Sequence, residues 1–150
     1  MGRLADGMPA YLRWAEEYLV GASMWADPDH IQLAAVFVNP EDFRDRSLGL
    51  IWAAVIDCLV PSVPNVMWLL DQRGQLDEAG GEDGIARLAS SQGALMYCGL
   101  DAMEAHAQVV HEWADRRRAI HEAQETARAA YSGKVVSSPL YARPEYQEDI

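Results

Sequence analysis

The longest helical signal in the chain runs from Leu100 to Tyr131 and contains neither proline nor glycine. Helices of globular proteins average about 10–14 residues, so this segment predicts an unusually long one. Two adjacent lines of apolar residues follow it at helical spacing. The first line is Met103, Ala107, Val110 and Ala114, and the second is Val109, Trp113 and Ile120. The pattern predicts a helix that packs one face on a core.

The charges at the two ends of this segment suit a single helix. Asp101 and Glu104 lie in its first turns and Arg128 lies near its end, as the helix dipole favours. Gly133 follows and is expected to end the helix. A helix of this length is expected to extend beyond the core against which its first part packs. Its free part would then offer a surface to a partner.

Composition favours one globular domain in the cytoplasm. Half of the 150 residues are hydrophobic, which is enough to bury a core. The apolar runs are too short to span a membrane, and the N-terminus lacks the apolar stretch of a signal peptide. The formal charge of −11 argues against a domain that binds nucleic acid by neutralising phosphates. Cys58 and Cys98 lie in apolar runs without metal-site spacing and are expected to be reduced core residues.

The first half of the chain reads as a series of helices. One begins at Pro9, and its aromatic stripe is predicted to face the core; the stripe is Tyr11, Trp14, Tyr18, Gly21 and Trp25. Asp27 and Pro28 begin a second helix, and Asn39 to Asp42 form a short turn. Ser47 is expected to cap a third helix over residues 48–60. That helix is apolar almost all round, which is typical of the buried centre of a bundle.

The remaining segments complete an all-α assignment. Asn65 is expected to cap a helix that Gly74 closes, and a left-handed turn at Gly80 and Gly81 precedes a helix from Ile85 to Ala89. Residues 90–99 read as a loop with one helical turn. No segment shows strand alternation. The predicted fold is a compact multi-helix domain over 9–131 with a long, partly projecting C-terminal helix, between a flexible N-terminus (1–8) and a flexible tail (132–150).

Motifs that would indicate an enzyme or a cofactor site are absent. No phosphate-binding loop, GxSxG or GxGxxG occurs, so no catalytic or cofactor-binding residue is predicted. His111, Glu112 and Asp115 resemble a zinc-protease helix, but no third ligand is evident. His106 and His121 are just over four turns apart, so the three histidines cannot converge on one ion without a partner chain. A solvated polar face is the favoured interpretation, and no metal is predicted.

The only basic cluster is Arg116, Arg117 and Arg118 within the long helix. These side chains point about 100° apart, and Glu112, Asp115 or Glu122 could pair with them. A solvated, ion-paired face is one interpretation. A protein-binding patch is the other, because Trp113 and Ile120 lie beside the arginines and tryptophan with arginine is typical of binding hot spots.

Over residues 16–120, the order of several motifs resembles the N-terminal domain of the DnaB-type replicative helicases. The family's first helix, its Asp-Pro step and its Pro-Glu-Asp-Phe turn have counterparts in Glu17–Met24, Asp27-Pro28 and Pro40–Phe43. The later counterparts are Ile51–Ile56, Leu70–Gly74 with Leu76, Gly80-Gly81, Ile85–Leu88 and His106–Glu112 with Arg116–Arg118. Two positions depart from the pattern: Asn65 stands where the family has Asp, and His106 where it has an aromatic residue.

The resemblance implies a small helical domain with a projecting hairpin, which in the family pairs subunits into a collar and offers a docking surface to primase. No motor domain and no Walker motif follow, so the chain is not expected to hydrolyse ATP or unwind DNA. The second hairpin helix is expected after Gly133, where a tail with prolines stands instead. The sequence therefore predicts a stand-alone, non-enzymatic module that binds a replicative helicase, a primase or a helicase loader.

The long helix is expected to carry the contact with that partner. The expected partner-binding residues are Val109, Trp113, Arg116, Arg117 and Ile120. The alternative is a self-associating structural or regulatory protein, encoded by a phage or mobile element, with weak DNA contact through Arg116–Arg118. No membrane partner is expected. A metal-dependent hydrolase built on His111, Glu112 and Asp115 is a third alternative.

Overall fold

A computed structural model of the chain describes residues 7–133. Within these residues the structure contains seven α-helices, one 3-10 turn and no strand, which confirms the all-α prediction. The helices are α1 (Ala10–Ser23), α2 (Pro28–Ala35), α3 (Arg46–Asp57), α4 (Val63–Gln72), α5 (Gly81–Ala89), α6 (Gln92–Met96) and α7 (Leu100–Tyr131), and the 3-10 turn is Pro40–Asp42. The chain divides into two units, residues 1–114 and 115–150.

The core of the first unit forms around Trp52 of α3. Its side chain is fully buried, and its Nε1 donates a hydrogen bond to the Val38 carbonyl oxygen at 3.1 Å. Helix α3 packs against α1, α2, α4 and the 3-10 turn, while α1 also packs against α5 and α6. The prediction that the third helix is the buried centre is therefore confirmed for residues 46–57.

Only part of the aromatic stripe of α1 faces the core, so the prediction was wrong for three of its five residues. Tyr11, Trp14 and Trp25 are exposed, with Trp14 at 58% of its surface, whereas Tyr18 is half-buried and Gly21 is buried. The buried face lies one residue further along the helix, at Leu12, Ala15, Leu19 and Ala22. Both lines have helical spacing, and the smaller aliphatic line fits the close approach of α5 and α6. A Cβ at Gly21 would lie 2.8 Å from the Leu88 carbonyl oxygen, which shows how near these backbones are.

Four predicted helix limits also differ from the structure, and one of them is the start of α5, which begins at Gly81 and not at Ile85. Helix α3 is capped by Asp45, which accepts from the Ser47 backbone N–H at 2.9 Å, and not by Ser47. The same helix ends at Asp57, so Leu59 and Val60 lie outside it and are exposed. Helix α4 begins at Val63, before Asn65.

The earlier start of α4 has a clear physical cause. Ser62 is the N-cap, and its hydroxyl accepts from the Asn65 N–H at 3.4 Å. Pro64 then lies in the first turn, where its missing N–H costs nothing. Other predicted starts and turns are confirmed: Asp27 caps α2, and Gly80 and Gly81 have positive φ angles of 110° and 73°.

Helix α7 follows the predicted pattern. All four residues of its first apolar line (Met103, Ala107, Val110 and Ala114) are fully buried in the first unit. In the second unit, the helical residues from Asp115 onwards are mostly exposed. The helix ends at Tyr131, and Gly133 has a φ of 77°, as predicted.

The predictions of a flexible N-terminus (1–8) and a flexible tail (132–150) concern residues that lie largely outside the described range, 7–133. Within the described range, no helix is both long and apolar enough to cross a membrane.

Candidate interaction surface

The second apolar line of α7 begins with Val109 and Trp113 in the first unit. Val109 is half-buried and packs against the core, so it contributes to folding. Trp113 is half-exposed, and its Nε1 donates a hydrogen bond to the Tyr11 hydroxyl at 3.1 Å. The two rings also meet edge-to-face, with centroids 6.3 Å apart. This pair leaves part of the indole accessible while fixing its orientation.

The other predicted contact residues belong to the second unit. Ile120 is 50% exposed. Arg116 is exposed and Arg117 is half-buried. Arg118 is ion-paired: its Nη1 lies 2.9 Å from Asp115 Oδ1. The structure therefore places apolar and guanidinium groups along this part of α7, and the guanidinium of Arg118 takes part in an exposed ion pair.

The fold also contains a buried carboxylate that sequence analysis missed. Glu16 on α1 is only 1% exposed. It accepts hydrogen bonds from two backbone N–H groups in the segment before α3, Arg44 at 2.6 Å and Asp45 at 3.4 Å. A second buried carboxylate, Asp42, accepts from the Asn39 N–H at 2.9 Å. Both carboxylates organise the backbone between α2 and α3, which is a structural role.

The zinc-protease-like residues do not assemble a metal site. His111 Nδ1 faces the buried Asp42, with 3.9 Å between it and Asp42 Oδ2. Within residues 7–133, no three His, Cys, Asp or Glu side chains are placed to hold a metal ion together. Cys58 and Cys98 are free thiols and half-buried, and burial raises the pKa of Cys58. Such a thiol is a poor nucleophile.

An aromatic cluster joins α1, the end of α6 and α7. It consists of Tyr18, Tyr97 and His106. The His106 ring meets Tyr97 edge-on with centroids 5.2 Å apart and Tyr18 at 5.9 Å. Its Nδ1 is buried and has no hydrogen-bond partner among the described residues. Burial therefore lowers the pKa of His106 below its ordinary 6.5, because the charged ring would lose hydration without gaining a partner.

We expect the stability of the protein to fall as the pH drops below about 6.5, the pKa of an unfolded histidine. A lowered pKa means that the unfolded chain binds a proton before the folded one does, so stability present above 6.5 is lost toward acid. Urea unfolding of the wild type and His106→Phe between pH 5 and 8 measures this. The free energy of unfolding of His106→Phe, relative to that of the wild type, should rise toward pH 5. Parallel pH dependences of the two proteins would contradict the assignment.

The described residues thus define an all-α domain whose long helix carries accessible aromatic, aliphatic and arginine side chains. The family model of the DnaB-like helicase N terminal domain matches residues 8–112, and the chain belongs to this family. This is a domain family of the DNA replication helicases, as the sequence motifs indicated.

Known structures support the same fold. The N-terminal domain of DnaB helicase from Mycobacterium tuberculosis is similar at a TM-score of 0.68, over 78% of this chain and 83% of that one. The sequence identity is 23%, so this likeness shows the fold alone. A search of curated proteins found no match.

Proposed function

We propose that this chain is a non-enzymatic interaction module of DNA replication, which binds a replicative helicase, a primase or a helicase loader through α7. Membership of the DnaB-like N-terminal domain family is the observation that carries the proposal. The domains of that family are parts of replication helicases. The matched segment contains none of the motifs of a motor ATPase.

The proposed contact residues are Val109 and Trp113 from the first unit and Arg116, Arg117 and Ile120 from the second. Trp113 supports this choice because its ring is half-exposed and held by Tyr11, and a pre-oriented aromatic side chain loses little entropy on binding. Ile120 supports it because half of its surface is accessible. Helix-on-helix docking through such anchors is a common mode of protein recognition.

The direct experiment is a pull-down with the tagged full chain from a lysate of the source cell, followed by identification of the bound proteins by mass spectrometry. Recovery of the replicative helicase, primase or loader, and reconstitution of that complex from purified proteins, would support the proposal. Recovery of the chain alone would contradict it. Sedimentation of the purified chain would then test the self-associating alternative.

In a reconstituted complex we expect Trp113→Ala to weaken binding by ~2 kcal/mol, roughly 30-fold in Kd, as for a typical hot spot. Ile120→Ser should also weaken it, and this exposed side chain can change without loss of the fold. His121→Ala, an exposed position on the same helix, is the matched control and should leave Kd unchanged. If Trp113→Ala unfolds the protein and Ile120→Ser has no effect, these residues are not the anchors.

DNA contact through Arg116–Arg118 is less well supported. Arg118 is already paired with Asp115, and the chain has a formal charge of −11. A filter-binding titration with duplex DNA at low and physiological salt distinguishes DNA contact from protein binding through α7. Binding by phosphate neutralisation weakens steeply with salt.

A further inference from the structure

A second accessible apolar area lies in the first unit, between the end of α3 and the outer side of α4. Leu59 is 94% exposed and Val60 65%, and both follow the last turn of α3. Trp68 on α4 is 64% exposed. These three side chains, which we call the Trp68 surface, line or border a depression of ≈ 390 Å³ with Cys58 and Leu69.

A second depression, of ≈ 380 Å³, is also lined by Trp68. Its other walls include Pro64, Met67 and Leu76, together with the carboxylates of Asp71 and Glu82. One indole therefore borders two hollows that are each large enough for an aliphatic side chain. Exposed apolar surface rimmed by polar residues is a common feature of interaction sites.

Specific hydrogen bonds hold this surface in its exposed conformation. Asn65 Nδ2 donates to the Val60 carbonyl oxygen at 2.8 Å, and the Ser62 hydroxyl caps α4. Arg73 at the end of α4 forms an ion pair with Asp57 at the end of α3. The connection between the two helices is thus fixed from both sides, with Leu59 facing solvent. A preformed surface binds a partner with little loss of conformational entropy.

The charge around the Trp68 surface indicates what it would bind. Residues 1–114 contain 17 acidic residues against 6 arginines and no lysine, so the whole net charge of −11 lies in this unit. Asp71 and Glu82 line the second depression and have no ion pair within the described range. The face of an indole also attracts a cation. Apolar hollows with unneutralised carboxylates beside them fit a segment that is both apolar and basic.

We propose that the Trp68 surface is a docking site for a basic amphipathic segment of another protein. Apolar side chains of that segment occupy the two depressions, while its arginine or lysine side chains stack on Trp68 and pair with Asp71 and Glu82. None of these residues belongs to the surface proposed on α7. The two proposals therefore stand or fall separately.

The test uses the full chain and a fluorescently labelled helical peptide with leucines at i, i+3, i+4 and i+7 and arginines between them. Two matched peptides replace the arginines by glutamates or the leucines by serines. Anisotropy titration should show saturable binding of the first peptide only. Trp68→Ala should weaken it at least tenfold, and Leu59→Ser should weaken it too. Trp14→Ala, which removes a similarly exposed indole from α1, should have no effect.

The electrostatic part is tested by the double variant Asp71→Asn, Glu82→Gln. It should weaken binding several-fold and flatten the dependence on salt, because two attractive charges are removed. Equal binding of the serine peptide would mean general attraction to an acidic protein and would overturn the proposal. So would equal effects of Trp68→Ala and Trp14→Ala. If sedimentation shows that Trp68→Ala abolishes a dimer, the occupant is a second copy and the proposed partner is wrong.

Discussion

Glu16→Ala is expected to lower the free energy of unfolding by about 3 kcal/mol, the largest effect we predict for a single substitution. The carboxylate is buried and accepts from the N–H groups of Arg44 and Asp45. Without it, both part-buried donors lose this acceptor, and leaving a buried donor unsatisfied costs about 1–3 kcal/mol. Chemical denaturation of the wild type and the variant, monitored by far-UV circular dichroism, measures the difference.

Glu17→Ala is the matched control, because Glu17 is the next residue on the same helix. Its carboxylate pairs with Arg13 at 3.2 Å, and both side chains are more than a third exposed. Exposed pairs of this kind contribute only about 0–1 kcal/mol. Glu16→Gln should fall between the two, since the amide keeps one acceptor but loses the charge. Equal destabilisation by Glu16→Ala and Glu17→Ala would show that the buried hydrogen bonds do not organise this segment.

The role of Glu16 illustrates what one sequence does not contain. A glutamate between apolar residues of an amphipathic helix is ordinary, and its partners are 28 and 29 residues further along the chain. Only the packing of α1 against α3 brings these groups together. The sequence shows a carboxylate, but the backbone N–H groups that donate to it carry no side-chain signature.

The inner line of α7 was predictable for the opposite reason. Met103, Ala107, Val110 and Ala114 follow one face through three turns, and all are fully buried. Helical periodicity alone determines which residues share that face. On α1 two adjacent lines had equally good spacing, and bulk favoured the aromatic one. Tyrosine and tryptophan are often only partly buried, so size was the wrong criterion.

The Trp68 surface escaped the sequence analysis because residues 48–60 form an unbroken apolar run. The run suggested one buried helix, whereas the helix ends at Asp57. One signal was present. Pro61 disfavours helical backbone at Val60, which indicates that the predicted helix ends before Val60. The exposure of Leu59 then depends on the bond between Asn65 and the Val60 carbonyl, which only the structure reveals.

Gly49→Ala is expected to destabilise the protein by about 2 kcal/mol, although alanine is the better helix former. Gly49 lies in the buried part of α3, and a Cβ there would lie 2.5 Å from the Pro40 carbonyl oxygen. The 3-10 turn would have to move, and overpacking of this kind costs about 1–3 kcal/mol or more. The gain in helix propensity is at most about 1 kcal/mol. The steric cost should therefore dominate.

Gly84→Ala makes the same chemical change on α5, where a Cβ would meet no atom within 4 Å. Only the propensity term remains, so this variant should be more stable than the wild type by about 0.5–1 kcal/mol. Thermal and urea unfolding of both variants should thus shift in opposite directions. If Gly49→Ala were stabilising as well, the 3-10 turn would not lie in close contact with α3 at Gly49. The packing that we infer to position Asp42, Phe43 and the segment bound by Glu16 would then be contradicted.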